Sequence, residues 1–360
     1  MKKIAIIHDW LTHMGGAENC LQVFLELLPQ ADLFTSVYDP SKIKLDLNNR
    51  SIHTTFIQNL PFSKKIYRNY LPLMPLAFEE LNLQNYDFIL SSSDACAKGI
   101  IPNPRAAHIC YCYTPMRYVW DMYYEYMSDG HFARKLVSLF SNYLRTWDAA
   151  SACRVDKFYA ISQFVASRIN KYYRREAEVV YPPVDCDYFV PQSKDEEYFL
   201  IVSRLVPYKK IDLAVRAFNK LKLPLVVIGE GREEAKLKKM AGPNIKFMGY
   251  QSREVIKDRF ARCRAFIFPG IEDFGITVLE AQAAGRPVIA FAGGGALETV
   301  IEGKTGLFFD EQTPESLVLK VEEFAKMSFD KKSLRQNALK YDRQIFKNKI
   351  RSILDENKVF

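Results

Sequence analysis

Two glutamates eight residues apart, Glu272 and Glu280, have a type and spacing that could do chemistry. They lie in the stretch IEDFGITVLEAQAAGRPVIA, residues 271–290, and flank a Phe-Gly pair. Paired carboxylates serve as an acid/base pair, as metal ligands or as acceptors for sugar hydroxyls, or they are unrelated charges on one helix. The elements that carry the two glutamates have to separate these alternatives.

The local pattern favours hydroxyl recognition. RAFIFPG predicts a strand, IEDFG a loop, and ITVLEAQAAG a helix that ends at Gly285 with a proline beyond it. Glu272 then lies in the loop and Glu280 about one turn into the helix, where Gly275 leaves amide N–H groups open for an oxygen-rich ligand. A retaining glycosidase needs carboxylates about 5 Å apart on either side of the scissile bond, which this segment is poorly arranged to supply.

Two further segments combine ligand-binding residues with a strand end. In SRLVPYKK, residues 203–210, Arg204 and Lys209 follow a predicted strand and suit a diphosphate, although surface cations before a helix are common. In HMGGAE, Gly15 and Gly16 precede a helix, where they either admit an anion or form a plain turn. HMGGAE lacks the third glycine of a dinucleotide fingerprint, so a dehydrogenase is poorly supported.

Other candidates are weaker when taken alone. GEG at 229–231 and GGG at 293–295 follow predicted strands and are either turns or walls of a ligand cleft. TPMRYVWD brings Arg117 and Trp120 into one polar, aromatic loop, which is either a sugar platform or ordinary core. The DCD triplet at 185–187 lies in a proline-rich stretch, so we expect no catalytic metal there.

Strands and helices alternate along the whole chain, which predicts parallel sheets with helices on both sides. The stretch 181–197 is rich in proline and acidic residues and is interpreted as a linker. The predicted fold is therefore two Rossmann-like domains, 1–190 and 191–339, whose strand ends face an interdomain cleft. The segment of about 340–360 is amphipathic, and the residues that we expect to pack are Ile345, Ile350 and Leu354.

Composition indicates a globular protein, with 48% apolar and 26% charged residues among 360. Seven cysteines do not suggest a disulfide framework. No window of about 18 apolar residues occurs, so no span is predicted, and the first apolar run is interpreted as a strand rather than an exported leader.

The net charge of +8 is unevenly distributed along the chain. Residues 41–75 hold six basic side chains against one acidic one, interleaved with aromatic and aliphatic residues. An anionic membrane surface and a solvated basic face explain this pattern about equally well. Nucleic acid is disfavoured because no binding motif accompanies the charge.

Together, GGAE, SRL with YKK, GEG, EDFGITVLEAQAAGRPVIA and GGGALETV resemble family 4 of the retaining glycosyltransferases, which have the GT-B fold. The resemblance covers nearly the whole chain. HDWL, LPLMPLAFEELNLQNYDFILSSS, AKGI and CYTPMRYVWD are similar to the branch with mannosyltransferases of O-antigen and exopolysaccharide assembly. This resemblance implies transfer of a hexose, with mannose from GDP-mannose expected, to a lipid-linked oligosaccharide. It implies a cytoplasmic protein, peripheral at the inner face of the cell membrane, without metal or other cofactor.

The resemblance also implies a role for each matching residue. Arg204 and Lys209 match the residues that bind the donor diphosphate and stabilise its departure, and Glu272 matches the glutamate that faces the donor sugar. Glu280 matches the glutamate that holds the ribose hydroxyls. The remaining donor-binding positions are Gly15, Gly16, Gly229, Gly249, Tyr250, Phe274, Gly275, Ile276 and Thr277.

Acceptor or sugar-site candidates are Asp94, Tyr113, Arg117 and Trp120. Two of these depart from the resemblance, because histidine is expected in that branch where Asp94 and Tyr113 stand. The departures support an alternative function, a catalytically weak or non-catalytic nucleotide-sugar-binding partner of another glycosyltransferase.

Overall fold

The computed structural model of the chain describes residues 2–47, 50–126, 131–192 and 196–359. The chain divides into two compact units, one formed by Met1–Pro182 with Phe346–Phe360 and the other by Pro183–Ile345. Each unit is a Rossmann-like α/β domain built on a parallel sheet, so the predicted fold class is confirmed.

The described part of the first unit has seven strands in one sheet. They are β1 (Ile4–His8), β2 (Asp32–Thr35), β3 (Ile52–Thr54), β4 (Phe88–Ser93), β5 (Ala107–Cys112), β6 (Lys157–Ala160) and β7 (Ala177–Val179). Their order is β3-β2-β1-β4-β5-β6-β7, and all neighbours are parallel. Strands β1 and β4 are buried along their whole length because helices cover both faces of such a sheet.

The helices of the first unit follow the predicted alternation. They are α1 (Gly16–Leu27), α2 (Ser63–Ile66), α3 (Met74–Glu79), α4 (Tyr123–Tyr126), α5 (His131–Ser151) and α6 (Gln163–Tyr173). The apolar segment KFYAISQFVASRI, residues 157–169, forms a strand only as far as Ala160 and continues into helix α6. The Ser162 side chain accepts the N–H of Val165 and caps a helix there.

The second unit has a six-stranded sheet within its described residues. Its strands are β8 (Phe199–Val202), β9 (Leu225–Ile228), β10 (Ile245–Phe247), β11 (Ala265–Phe268), β12 (Val288–Phe291) and β13 (Gly306–Phe309), in the order β10-β9-β8-β11-β12-β13. Its helices are α7 (Ile211–Leu221), α8 (Glu234–Met240), α9 (Arg253–Arg262), α10 (Ile276–Ala283), α11 (Ala296–Thr299), α12 (Pro314–Phe324) and α13 (Lys331–Leu339).

The proline-rich stretch interpreted as a linker is partly packed. Val184 and Phe189 are buried, and the Val184 N–H donates to the Tyr341 carbonyl at 3.0 Å. Residues 193–195 of this stretch lie outside the described residues. Burial of the apolar side chains therefore ties 183–192 to the second unit.

The last helix, α14 (Arg343–Glu356), packs on the first unit through its apolar face. Its Phe346 ring lies 5.8 Å from the Phe24 ring and 5.6 Å from the Tyr111 ring. Ile350 and Leu354 are buried as expected, but Ile345 is 54% exposed. The expectation for Ile345 is wrong because Phe346 occupies the buried face one position later.

Each sheet changes the direction of its strand order once, between β1 and β4 in the first unit and between β8 and β11 in the second. Ligands of doubly wound folds bind outside the carboxyl ends of the strands at such a point. The loops that follow these four strands are therefore where a functional site is expected.

Candidate functional site

The loop after β8 places a lysine and an arginine at the switch point of the second unit. The Arg204 guanidinium donates to the Tyr208 hydroxyl at 2.7 Å, and the Lys209 ammonium lies 5.3 Å from the Tyr208 ring centroid. Lys209 is also paired with the Glu272 carboxylate, which comes from the loop after β11. Arg204, Lys209 and Glu272, predicted separately, thus form one connected group.

A glycine permits the close approach of these two loops. A Cβ on Gly270 would lie 2.9 Å from the Lys209 Cα and 3.0 Å from the Lys209 and Tyr208 carbonyl oxygens. Any side chain at this position would therefore push apart the backbone segments that carry Lys209 and Glu272.

The glycine triplet after β12 supports the Glu272 loop from another direction. A Cβ on Gly294, whose φ is +62°, would lie 2.3 Å from the Glu272 carbonyl oxygen, and one on Gly295 would lie 2.3 Å from the Phe274 Cα. The Gly295 N–H donates to the Glu272 carbonyl at 2.9 Å. The sequence left this triplet open between turn and cleft wall, and the structure shows that it holds the Glu272 loop in place.

Helix α10 begins directly after this loop. Gly275 has φ +83° and is the N-terminal flanking residue, followed by Ile276 and Thr277, both part-buried. The first N–H groups of such a helix attract anionic oxygens. The Phe274 side chain is only 3% exposed, and its ring lies 5.8 Å from the Tyr341 ring, so it packs in the unit.

Glu280 lies one turn into α10, in an environment different from that of Glu272. Burial raises the pKa of Glu280 to about 7. The charge of Arg253 opposes this rise, and that of Asp185 adds to it. Arg253 also donates to Asp185 at 2.8 Å, so the nearest cation is already shared with another carboxylate.

Two of the predicted donor-binding residues that follow β9 and β10, Gly229 and Gly249, contribute backbone contacts to the site rather than side chains. Gly229 has φ +132°, and a Cβ there would lie 1.9 Å from the Ser203 carbonyl oxygen. The Gly229 N–H donates to the Gly249 carbonyl at 2.9 Å, and the Tyr250 side chain that follows is 76% exposed. These glycines hold the start of the Arg204 loop and leave Tyr250 accessible.

In the first unit, a buried hydrogen-bonded chain lies at the switch point between β1 and β4. The Tyr113 hydroxyl donates to the Ala17 carbonyl at 3.0 Å, so its oxygen accepts from Ser92 at 2.8 Å. Ser92 in turn accepts from the Nδ1 of His8 at 3.0 Å, and the Nε2 of His8 lies 3.6 Å from Glu18.

Sequence reasoning missed His8, Glu18 and Ser92. The available signal was polar residues at the ends of two apolar strands, HD after IAII and SSS after FIL. Burial acts to raise the pKa of Glu18, but the hydrogen bond and charge of His8 outweigh it and lower that pKa. A Cβ on Gly15 would lie 3.1 Å from Glu18, whereas one on Gly16 would meet nothing within 4 Å.

Asp94 lies beside a second carboxylate, Asp9. Asp9 accepts the backbone N–H groups of residues 94–97 at 2.6–3.0 Å. Burial and the charge of Asp9 raise the pKa of Asp94 well above its usual range. The protonated form of Asp94 is therefore favoured more than that of a solvated carboxyl group.

Both the ring and the indole nitrogen of Trp120 make contacts within the first unit. Its ring stacks on Tyr172 at 4.5 Å, and its indole N–H donates to Asp148 at 2.8 Å. Arg117 is part-buried in the same loop. Over the described ranges, no group of three or more His, Cys, Asp or Glu residues could hold a metal ion.

Two family models match the chain, one on each half. Residues 14–188 match the model "Glycosyltransferase Family 4" and residues 189–343 match "Glycosyl transferases group 1". Together, the two matches extend over almost the whole chain, and each describes a glycosyltransferase domain.

Curated relatives are similar over part of the chain only. A GDP-mannose-dependent alpha-(1-6)-phosphatidylinositol monomannoside mannosyltransferase of Mycolicibacterium smegmatis is 30% identical over 182 residues, which cover 42% of this chain and 48% of the relative. The chain spans about half the length, or less, of the curated relatives it matches.

Solved structures match the whole chain in fold. HepE of Anabaena, in complex with UDP and glucose, has a TM-score of 0.70 at 17% identity and covers 99% of this chain and 100% of its own. Sucrose-phosphate synthase of Thermosynechococcus elongatus has a TM-score of 0.76 at 16% identity, with both chains fully covered. Such neighbours show that the fold of this chain is GT-B.

Proposed function

We propose that this chain, which carries two glycosyltransferase domains in a GT-B fold, is a retaining hexosyltransferase that uses a nucleoside diphosphate sugar. The observation that carries the proposal is the connected group of Arg204, Lys209 and Glu272 at the switch point of the second unit. This group brings together the Arg204 and Lys209 cations and the Glu272 carboxylate, which can accept hydrogen bonds from sugar hydroxyls. Helix α10 begins directly after the Glu272 loop.

These residues fit the charge that develops when a nucleoside diphosphate departs. Arg204 offers a planar fork for phosphate oxygens and Lys209 a point charge, and both are fixed before the reaction. The Lys209 ammonium has three N–H groups, so it can keep its bond to Glu272 and still donate to a phosphate. Glu272 then accepts hydroxyls of the donor sugar, and Glu280 those of the ribose.

We propose mannose from GDP-mannose as the donated group, because several curated relatives are mannosyltransferases whose names specify GDP-mannose. The proposed acceptor is a lipid-linked oligosaccharide, in the assembly of a cell-surface polysaccharide such as an O-antigen. The residue set that we propose for catalysis works without metal or other cofactor, since Arg204, Lys209 and the N-terminus of α10 supply the positive charge.

Replacement of the two connected side chains tests the proposal. Lys209→Ala and Glu272→Ala are each expected to lower donor turnover by about 10²–10³-fold, because each removes a group that acts on the departing diphosphate or its sugar. Turnover of GDP-mannose, by hydrolysis or by transfer to a pool of lipid-linked saccharides, is the measurement.

Lys222→Ala is the matched control, because Lys222 is an exposed cation at the other end of α7. It should leave turnover unchanged. Wild-type turnover in both Lys209→Ala and Glu272→Ala would refute the catalytic role of this group.

A non-catalytic nucleotide-sugar-binding partner is the second candidate, and it rests on Asp94 and Tyr113. The Tyr113 hydroxyl is committed to Ser92 and Ala17, so it differs from a titratable histidine at that position. Tight donor binding in calorimetry, without turnover in any acceptor pool, would favour this candidate.

A further inference from the structure

The first unit contains a cavity of about 420 Å³. None of the residues that line it is among those proposed to bind the donor. It lies between the segment that follows β5, helix α5 and helix α6. Its walls include Trp120, Tyr123, Tyr124, Arg145, Lys171 and Tyr172. The volume is within the range of small-molecule sites, and four of these six side chains are aromatic.

Part of the wall is held rigidly from behind. The Trp120–Tyr172 stack has an interplanar angle of 17°, and the Trp120 N–H donates to Asp148, which is fully buried. Asp148 also pairs with the buried Lys98 at 2.5 Å. Trp120 and Tyr172 therefore form a rigid part of the wall, which lowers the entropic cost of ordering that part when a ligand binds.

Arg145 is fixed by one end of its guanidinium. Its Nε donates to the Val119 carbonyl at 2.8 Å, and its Cζ lies 5.1 Å from the Tyr123 ring and 5.6 Å from the Trp120 ring. This arrangement holds the charge at the cavity wall. Within the described residues, the terminal NH₂ groups of Arg145 have no hydrogen-bond partner, so they remain available to an anion.

The charge of the lining is positive. Arg145 and Lys171 are its cations, and no carboxylate belongs to it among the described residues. The nearby Asp121 is paired with Arg168. In the part of the chain that the structure describes, Lys171 and Asn142 form no ion pair or hydrogen bond, and both side chains are exposed. The cavity therefore favours an anionic ligand with hydrogen-bonding groups.

The ring geometry suits a saccharide and leaves no slot for a planar base held between two rings. Trp120 and Tyr172 stack on each other, so a base cannot enter between them. Tyr123 and Tyr124 meet at 73°, which leaves no parallel pair of rings to hold a flat ligand. A sugar ring needs only one aromatic face and offers hydroxyls to the Asn142 amide and the tyrosine hydroxyls.

We propose that this cavity binds an anionic saccharide, with its phosphate at Arg145 and Lys171 and its ring against Tyr123 and Tyr124. The proposal deepens the proposed function and rests on it, because such a ligand is the phosphorylated part of an acceptor. The same chemistry occurs in a lipid diphosphate-linked sugar and in a soluble sugar phosphate.

Calorimetric titration of the full chain tests the cavity without requiring transfer. The probes are mannosyl farnesyl diphosphate, mannose 1-phosphate, methyl α-mannoside and inorganic pyrophosphate, each added with GDP at saturation to occupy the donor site. At least one phosphorylated sugar is expected to bind more tightly than methyl mannoside and pyrophosphate. Preference for the farnesyl probe identifies a lipid-linked source, and equal affinity for both phosphorylated sugars identifies a soluble one.

The variants are Lys171→Ala, Asn142→Ala and Tyr124→Ala, exposed side chains whose loss should leave the melting temperature unchanged. Loss of the Lys171 charge is expected to weaken phosphosugar binding by about tenfold, and Lys42→Ala, an exposed cation of the same unit, should have no effect.

Three results would overturn the proposal: no binding of either phosphorylated sugar, affinity unchanged in all three variants, or pyrophosphate as tight as the phosphosugars. Binding that depends on Lys171 in a chain without turnover would support the cavity and refute the transferase function. Turnover that depends on Lys209 without phosphosugar binding would do the reverse.

Discussion

At the scale of single residues, the two glutamates that first drew attention have different surroundings. Glu272 is paired with Lys209, whereas Glu280 is desolvated and shares Arg253 with Asp185. The charges of the two carboxylates are therefore controlled separately, although only eight residues separate them in the sequence. This difference suits one carboxylate at a reacting sugar and another at a ribose.

The raised pKa of Glu280 has a consequence for stability. Between about pH 4.5 and pH 7 the folded chain holds a proton that the unfolded chain has released, so the free energy of unfolding falls as pH rises through this window. Glu280→Gln removes the titration. Relative to the wild type, the variant is expected to gain about 2–3 kcal/mol of stability between pH 5 and pH 8.

Melting temperatures of both proteins across pH 5–8 provide the measurement, with Glu311→Gln as an exposed control that should run parallel to the wild type. A stability difference between Glu280→Gln and the wild type that does not change with pH would contradict the raised pKa. Donor affinity supplies a second readout, since Gln keeps a carbonyl acceptor but loses the charge.

At the scale of elements, the positions of the site residues depend on glycines in the loops, because a side chain at these glycines would clash with a neighbouring loop. Gly270 lets the Lys209 turn approach the Glu272 loop, and Gly294 and Gly295 lie against that loop from the β12 side. The charged groups are therefore positioned by backbone contacts between loops that are distant in the sequence. Rigid support of this kind is what electrostatic stabilisation of a leaving group requires.

Gly294 and Gly303 have similar backbone angles but different surroundings. A comparison of the two therefore distinguishes the cost of backbone strain from the cost of a steric clash. Gly294 has φ +62° and would meet the Glu272 carbonyl, whereas Gly303 has φ +70° and open space around it. Both Gly→Ala changes carry the cost of a left-handed residue, about 1–2 kcal/mol. Only Gly294→Ala adds a clash, so we expect it to lose about 1–3 kcal/mol more and to weaken donor binding.

Chemical denaturation and a nucleotide-sugar binding assay on the two variants measure these effects. Equal stability and equal donor affinity in Gly294→Ala and Gly303→Ala would show that the triplet does not brace the Glu272 loop.

At the scale of the whole molecule, we propose that the chain acts at the inner face of the cell membrane. No helix among the described residues is long and apolar enough to cross a bilayer. A surface on the first unit instead combines the exposed apolar side chains Phe62, Ile66, Leu73 and Leu76. The exposed cations of the same surface are Lys64, Lys65 and Arg68.

Sedimentation with vesicles tests this surface. The wild type is expected to bind vesicles that contain anionic lipid at low salt, and 0.5 M salt should weaken the binding because each cation near the surface contributes about 1 kcal/mol. Phe62→Ser and the double change Lys64→Ser with Lys65→Ser should each reduce binding, whereas Leu319→Ser, an exposed leucine of the second unit, should not. Absence of wild-type binding at low salt would mean that the surface is simply solvated.

Much of the molecule was already determined by the sequence. The short apolar runs IAII and FIL begin strands that are buried on both faces, because a parallel sheet covered by helices requires continuous rather than alternating apolar residues. Arg204, Lys209 and Glu272 were also predictable as candidates, since polar residues at the ends of such strands meet at one edge of a sheet. The sequence motifs that contain these residues also resemble those of glycosyltransferases.

Only the tertiary structure decided which residues act together. The pairing of Lys209 with Glu272, the bracing by Gly294 and the relay from Tyr113 to His8 join segments that lie far apart in the chain. The assignment of Phe346, rather than Ile345, to the packing face of α14 depends on contacts with Phe24 and Tyr111. Local patterns encode which side of an element is buried, but contact partners and the desolvation that raises the pKa of Glu280 arise only when distant segments pack together.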